Sequence, residues 1–300
     1  MNTQALPSWY GEYKDLIEKS ITRYFDTYLA IPTSKPLELF KETVRYSCKG
    51  GKKLRAIFAL EFYLTLSGKD ISEIKGDDDI LRLCIALEII HGFSLVHDDL
   101  PCMDNDTLRR GEPTTWKKYG EYQAVLAGDM LNTLGFEIIS DIHDPKVSQE
   151  LAKLISHAIG FYGMVGGQIE DMYFEENVLE LDENVLKNLH YKKTGRLIEA
   201  SILGGIILSG QRSNIDVYKD FGRKIGLAFQ IKDDLLDVEG TAEETGKSVG
   251  GEEKGFVYLS GVEKTRSVLN EIISDCRKIS TSLGSEKIDF LVDYMEKRTK

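Results

Sequence analysis

The distribution of proline restricts the fold of this chain more than any other feature. All six prolines lie at or before Pro145, so residues 146–300 contain none. Proline interrupts helices, and apolar residues recur here at spacings of three and four, not in alternation. We therefore predict an all-α fold. No Pro/Gly/Ser-rich linker divides the sequence, which favours one domain over residues 1–300.

The net charge of -11 argues against nucleic acid or an anionic membrane as a partner, because both select for a basic surface. The four cysteines lack C-x-x-C spacing, so neither zinc nor a disulfide framework is indicated. No secretory signal precedes Tyr10, and the apolar runs fall short of the ~20 residues that cross a bilayer. We expect a cytoplasmic protein without a transmembrane segment.

Two aspartate clusters each follow an apolar, helix-like run. They are DDLPCMD at 98–104 and DDLLD at 233–237. Asp233 and Asp237 are about 40° apart on a helix and can share an ion, whereas Asp98 and Asp104 would be roughly 240° apart. Pro101 interrupts the helix between them, so the chain can turn and bring Asp104 to Asp98. Clustered carboxylates of this kind suit Mg²⁺ or Mn²⁺.

Basic residues with glycine accompany both clusters. GGKKLR at 50–55 is predicted to open a helix, where free N–H groups and cations favour a bound anion. Arg109 and Arg110 follow the first cluster and are suited to phosphate, although Arg109 can also pair with Asp104 or Asp106. Lys193, Thr194, Gln230 and Lys247 complete the set. Together with an apolar helical interior, these groups suit a diphosphate ester with an apolar tail.

The chain resembles the trans-prenyltransferases of the short-chain isoprenyl diphosphate synthase type. The resemblance runs nearly end to end and includes GGKKLR (50–55), HGFSLVHDDLPCMDNDTLRRG (91–111), AVLAGDMLNTLGF (124–136), GMVGGQIEDM (163–172), YKKTGRLIEAS (191–201), GLAFQIKDDLLD (226–237) and TGKSVGG (245–251). Within this family, the bacterial farnesyl diphosphate synthases are most similar. The resemblance implies a single large helical bundle around a deep central cavity, of the isoprenoid synthase type, and a homodimer.

The resemblance also assigns residues. It implies three Mg²⁺ ions, with Mn²⁺ as an alternative, bound by Asp98, Asp104 and Asp233, with Asp99 and Asp237 as ligands or supporting residues. Its isopentenyl diphosphate site comprises Gly51, Lys52, Arg55, His91 and Arg110. Its allylic diphosphate site comprises Arg109, Lys193, Thr194, Gln230 and Lys247. The residues with an implied catalytic role are Asp98, Asp104, Asp233, Lys193 and Lys247.

By the same resemblance, the allylic C–O bond ionises to a carbocation and a diphosphate, the double bond of isopentenyl diphosphate attacks the carbocation, and the resulting cation loses a proton to the departing diphosphate. Phe93 and Ser94 lie one turn or more before Asp98, so the Phe93 ring is positioned to limit the growing chain to fifteen carbons (C15). The loop 250–258 departs from the family pattern, and Lys254 is assigned there as a replacement diphosphate lysine. Thr107 stands where an acidic residue is common, and Ala56 where proline is usual.

Two alternatives remain open. The first is a geranylgeranyl (C20) synthase in which Phe93 points away from the tail. The second is a weakly active subunit of a heteromeric prenyl synthase, although both aspartate motifs are complete. A terpene cyclase fits less well, because GGK and LRRG serve a second diphosphate.

Overall fold

The computed structural model describes residues 6–76, 78–177, 181–239 and 255–298. Helices dominate these residues, so the predicted all-α class is confirmed. The α-helices are α1 Ser8–Tyr28, α2 Lys35–Ser47, α3 Leu54–Ser67, α4 Asp79–Asp98, α5 Thr115–Tyr119, α6 Glu121–Ser140, α7 Pro145–Ile159, α8 Met164–Glu176, α9 Glu183–His190, α10 Arg196–Ser209, α11 Ile215–Glu239, α12 Phe256–Ser260, α13 Val262–Leu283 and α14 Glu286–Lys297. A 3₁₀ turn spans Ile71–Glu73, a π-helical turn spans Tyr191–Gly195, and strands β1 Leu108–Arg109 and β2 Glu112–Pro113 form an antiparallel hairpin.

The chain divides into two compact units. The first, called the N-terminal unit, comprises Leu6–Leu60 and Asp70–Ala152. The second, called the C-terminal unit, comprises Glu61–Lys69 and the described part of Lys153–Lys300. The expectation of one domain over 1–300 stays a prediction.

Helix α4 is the central element of the N-terminal unit. Most of its side chains are buried on all sides, which explains why its sequence is apolar with little periodicity. It packs closely against α6 because glycines face bulky side chains: a Cβ on Gly135 would lie 2.4 Å from Ile90, and a Cβ on Gly128 would lie 2.1 Å from His97. This close packing fixes the end of α4, where Asp98 lies.

Among the described helices, only α4 has the length and composition of a membrane span. The apolar window that meets this test is 78% buried inside the protein, as in a core helix. The finding is therefore weak support for a membrane segment.

In the C-terminal unit, α10 is almost entirely buried and continues directly from the π-helical turn. Glycines allow this segment to approach α11, since a Cβ on Gly226 would lie 2.4 Å from the Cα of Gly195. Gly222 faces the backbone of Glu199 in the same way. The contact holds the turn that carries Lys193 and Thr194 against the helix that carries the second aspartate cluster.

The predicted helix boundaries were wrong at three places. The apolar spacing of the sequence predicts single helices over 116–141 and 147–175, but each is two helices, interrupted at Gly120 and between Ile159 and Met164. Gly120 has a φ of 96°, outside the helical region. The third helix begins at Leu54, not at residue 52, because Lys53 has a φ of 56°. Lys52 and Lys53 therefore precede the helix.

Candidate active site

The chain turns back on itself directly after α4. The N–H of Asp104 donates to the carbonyl of Asp98 at 2.9 Å, and the N–H of Asn105 donates to the carbonyl of Leu100 at 3.1 Å. Asn105 has a φ of 53°, a conformation that asparagine tolerates better than most residues. The turn predicted from Pro101 is present, and it brings the backbones of Asp98 and Asp104 together.

Asp99 occupies a different environment from its neighbour Asp98. Its side chain is buried, and Arg109 Nε donates to Asp99 Oδ1 at 2.6 Å. Burial raises the pKa of Asp99 above the usual aspartate value, and the bond from Arg109 opposes this rise. Arg109 also lies 3.5 Å from Asp106. Asp99 therefore holds Arg109 beside the carboxylate turn, and this particular pairing was not predicted.

The GGKKLR segment places Arg110 against the backbone of two glycines. Gly50 and Gly51 have φ of 71° and 86°, and a Cβ on Gly51 would lie 2.6 Å from Arg110 Nη2. Arg110 Nη1 donates to the carbonyl of Lys49 at 2.8 Å. Glycine at 51 thus leaves room for the guanidinium.

Lys53 differs from its neighbours in this segment. Its ammonium is buried, lies 3.6 Å from Glu88 and donates to the carbonyl of Cys48 at 3.3 Å. A buried lysine requires such a partner, so Lys53 supports the turn. Lys52 and Arg55 are half-buried.

His91 lies on α4 among these cations. Burial holds the pKa of His91 well below 6.5, and the charges of Arg55, Arg110 and Lys53 lower it further. Its Nδ1 is buried and has no hydrogen-bond partner within the described residues. An imidazole that stays neutral amid several positive charges marks a site that favours an anion. The structure thus groups Arg55, His91 and Arg110, three of the five predicted isopentenyl diphosphate residues, around the turn that contains the other two, Gly51 and Lys52.

Phe93 and Ser94 lie on the same helix, before Asp98. The Phe93 ring is 7% exposed and meets His97 edge-on, with ring centres 5.9 Å apart. Ser94 is also buried, and its hydroxyl donates to the carbonyl of His91. Phe93 is thus a well-packed ring near the carboxylate turn, and its role in chain length stays a prediction.

In the C-terminal unit, the π-helical turn presents Lys193 and Thr194. Lys193 Nζ lies 2.5 Å from Asp171 on α8, and Thr194 Oγ1 donates to Gln230 Oε1 at 3.0 Å. A Cβ on Gly167 would lie 2.4 Å from the backbone nitrogen of Lys193. The structure therefore brings three predicted allylic-diphosphate residues to neighbouring positions. It adds Asp171, which sequence reasoning left without a role although it belongs to the GMVGGQIEDM segment.

The second aspartate cluster lies on α11, and its members have different partners. Asp233 Oδ1 is 2.8 Å from Arg298, and Asp237 is exposed. Asp234 Oδ2 accepts the backbone N–H of Phe256 at 2.7 Å and lies 3.5 Å from His190 Nε2. Asp234 thus anchors the start of α12. Sequence reasoning missed the role of Arg298, because no local spacing links it to Asp233.

Lys247 and Lys254 lie outside the described residues. Within the described ranges, no group of three His, Cys, Asp or Glu side chains is arranged to hold a metal ion. The donor chemistry nevertheless fits a hard divalent ion: a backbone hydrogen bond joins Asp98 and Asp104 at one turn, and Asp233 and Asp237 are one helical turn apart.

Comparison with known proteins agrees with this geometry. The sequence profile of the Polyprenyl synthetase family matches residues 37–277. Farnesyl diphosphate synthase from Micrococcus luteus is 38% identical over 268 residues, which cover 86% of this chain and 89% of that protein. Geranylgeranyl pyrophosphate synthase 4 from Arabidopsis thaliana is 36% identical, covering 91% of this chain and 73% of that protein.

Solved structures give the same result. An apo FPP/GFPP synthase from Zymomonas mobilis superposes with a TM-score of 0.79 at 35% identity, covering 97% of this chain and 100% of that one. A geranyltransferase from Helicobacter pylori, complexed with magnesium and isoprenyl diphosphate, has a TM-score of 0.76 at 30% identity and covers 98% of both chains. The family resemblance expected from the motifs is confirmed. The chain belongs to the polyprenyl synthetase family, and it is a prenyl transferase that elongates prenyl chains.

Proposed function

We propose that the chain condenses isopentenyl diphosphate with dimethylallyl and geranyl diphosphates to make farnesyl diphosphate. The observation that carries this proposal is that carboxylates and cations, two groups of opposite charge, lie together in the N-terminal unit. The carboxylate turn Asp98–Asp104 lies next to Arg109, and Arg110 and Arg55 surround the neutral His91. Such a site suits a diphosphate that is bound by cations and by carboxylate-held metal.

The metal assignment follows from the donor set. Asp98, Asp104 and Asp233 would hold Mg²⁺, with three ions expected and Mn²⁺ as an alternative, and Asp99 and Asp237 would support them. The Mg²⁺-bound neighbour from Helicobacter pylori supports the choice of metal. When bound, Mg²⁺ neutralises negative charge on the departing diphosphate.

The remaining steps depend on the chain's own side chains. Arg55 and Arg110 bind isopentenyl diphosphate, and Gly51 leaves space for the guanidinium of Arg110. Lys193 and Thr194 bind the allylic diphosphate and stabilise the charge that develops as the C–O bond breaks. Holding both substrates in reacting geometry also lowers the activation barrier. In well-oriented intramolecular reactions this effect reaches about 7–11 kcal/mol.

The C15 product rests on Phe93 and on similarity to farnesyl diphosphate synthases. Geranylgeranyl diphosphate is the second candidate, because a plant geranylgeranyl synthase is also similar. Incubating the purified chain with Mg²⁺, dimethylallyl diphosphate and isopentenyl diphosphate, then sizing the dephosphorylated products, separates the two. Mainly C20 product would overturn the C15 assignment. Turnover only after addition of a second protein would favour the role of a heteromeric subunit.

We also propose that the enzyme is a homodimer in the cytoplasm. Apolar side chains are exposed on α6 at Tyr122 and Leu126, on α8 at Ile169, and at Phe161 just before α8. Exposed apolar patches of this kind often mark protein contacts. All four cysteines are free thiols, as in a reducing compartment. Light scattering after size-exclusion chromatography tests the oligomer, and a monomeric mass would contradict it.

A further inference from the structure

Arg298, which follows the last helix α14, is buried against the helix of the second aspartate cluster. Only 2% of its side chain is exposed. Its Nη2 atom lies 2.8 Å from Asp233 Oδ1 and donates to the carbonyl of Phe229 at 2.6 Å. The guanidinium also stands 4.0 Å from the centre of the Phe229 ring. These contacts reach two residues that are one helical turn apart on α11.

This geometry restricts Asp233 more than a surface ion pair would. Arginine is almost never so deeply buried without a partner, and a guanidinium with one face against an aromatic ring has little freedom to turn. The bond to Asp233 Oδ1 therefore fixes the orientation of a carboxylate whose side chain is still 34% exposed. Hydrogen bonds to a metal-binding carboxylate set the direction in which it faces.

Attachment of the last helix alone does not require Arg298. Arg277 on α13 already pairs with Asp293 and Glu296 on α14, at 2.7 and 2.6 Å. The hydroxyl of Ser285, at the start of α14, donates to Glu61 at 2.7 Å. The helix is thus held along its length by contacts that do not involve the aspartate cluster.

We propose that Arg298 is a positioning residue for Asp233, so that the residue directly after α14 orients a carboxylate of the second metal-binding cluster. This inference rests on the proposed function, because it takes Asp233 as a metal ligand. Arg298 acts through Asp233, the carboxylate with which it pairs.

The test compares Arg298→Gln and Arg298→Lys with the control Arg277→Gln, which removes two ion pairs of another arginine away from the cluster. Two quantities are measured: the Mg²⁺ concentration that gives half-maximal turnover, and the rise in Tm caused by Mg²⁺ with inorganic pyrophosphate. Loss of a residue that supports a metal ligand weakens metal affinity by about 10–100-fold. For Arg298→Gln we expect a rise of at least about tenfold in the Mg²⁺ requirement and a smaller Tm response.

Arg298→Lys keeps the positive charge but loses the planar fork of the guanidinium, so we expect its Mg²⁺ requirement to lie between those of wild type and Arg298→Gln. It also provides the test if Arg298→Gln does not fold. Arg277→Gln should lower Tm without changing the Mg²⁺ requirement. An unchanged or lower Mg²⁺ requirement in both Arg298 variants would overturn the inference, and so would an equal shift in Arg277→Gln. If wild type shows neither a Mg²⁺-dependent Tm change nor turnover, the proposed function itself is wrong.

Discussion

Replacing Gly51 by alanine tests whether Arg110 binds isopentenyl diphosphate. The new Cβ would lie 2.6 Å from Arg110 Nη2 and 2.8 Å from its Cζ, both too close for real contacts. These atoms are the far end of a flexible side chain, so the guanidinium moves and the backbone stays. We therefore expect the substitution to displace Arg110 from its bond to the carbonyl of Lys49.

Gly50→Ala is the matched control for this substitution. Both glycines have positive φ, 71° and 86°, where an alanine costs about 1–2 kcal/mol. A Cβ on Gly50, however, lies 3.7 Å from Arg110, which is an ordinary contact. The two variants should therefore lose similar stability, with Tm lowered by about 2–4 °C per kcal/mol. They should differ only in the position of Arg110.

The difference should appear in the KM for isopentenyl diphosphate. A hydrogen bond to a charged group contributes about 1.5–3 kcal/mol. At 1.4 kcal/mol per factor of ten, its loss raises KM by roughly ten- to a hundredfold in Gly51→Ala, with little change in Gly50→Ala. Steady-state assays with varied isopentenyl diphosphate and saturating geranyl diphosphate measure this. Equal KM values in the two variants would refute the role assigned to Arg110.

Three further predictions concern chain length, pH dependence and packing. Phe93→Ala should lengthen the products, as measured by product sizing, and an unchanged distribution would show that the ring does not limit the tail. His91 stays neutral in the folded protein but takes up a proton near pH 6.5 in the unfolded chain. Below pH 6.5, its contribution to the free energy of unfolding should therefore decrease, by up to about 1.4 kcal/mol per pH unit. His91→Gln should lack this part of the pH dependence in urea denaturation between pH 5 and 7; identical slopes would contradict the buried neutral imidazole. Gly167→Ala should lower the free energy of unfolding by about 1–3 kcal/mol and reduce turnover, because the new Cβ meets the backbone nitrogen of Lys193, which cannot move away as the end of a side chain can. A variant with the Tm and the turnover of wild type would refute this.

Features set by local chemistry were predictable from the sequence. The absence of proline after Pro145 and the apolar spacing gave the all-α class, and Pro101 gave the return of Asp104 to Asp98. The motifs gave the family. The signal from Pro101 lies within a few residues of the turn that it specifies, and the proline and apolar patterns act through the local geometry of each helix.

Features that depend on distant parts of the chain were not predictable. Lys53 looked like a ligand-binding cation, but Glu88, 35 residues later on α4, makes it a buried support. Asp233 was predicted as a metal ligand and Asp99 as a ligand or supporting residue, but the arginine that each of them faces was not predicted, because the position of that arginine depends on the fold. Interruptions such as Gly120 also escaped prediction, since a glycine within a helical pattern does not reveal its φ.

The π-helical turn at Tyr191–Gly195 has a consequence for how this family can vary in sequence. A π turn contains one residue more than an α turn, and the segment from Glu183 to Ser209 is otherwise α-helical. Deleting one residue from the turn would restore regular α geometry and leave α9 and α10 facing nearly as before, because the residue removed is the extra one of the wide turn. The buried face of α9, with Leu186 and Leu189, would keep its orientation. The wide turn that presents Lys193 and Thr194 is therefore separable from the packing of α9, so a one-residue deletion would alter the site while the fold around it stays intact.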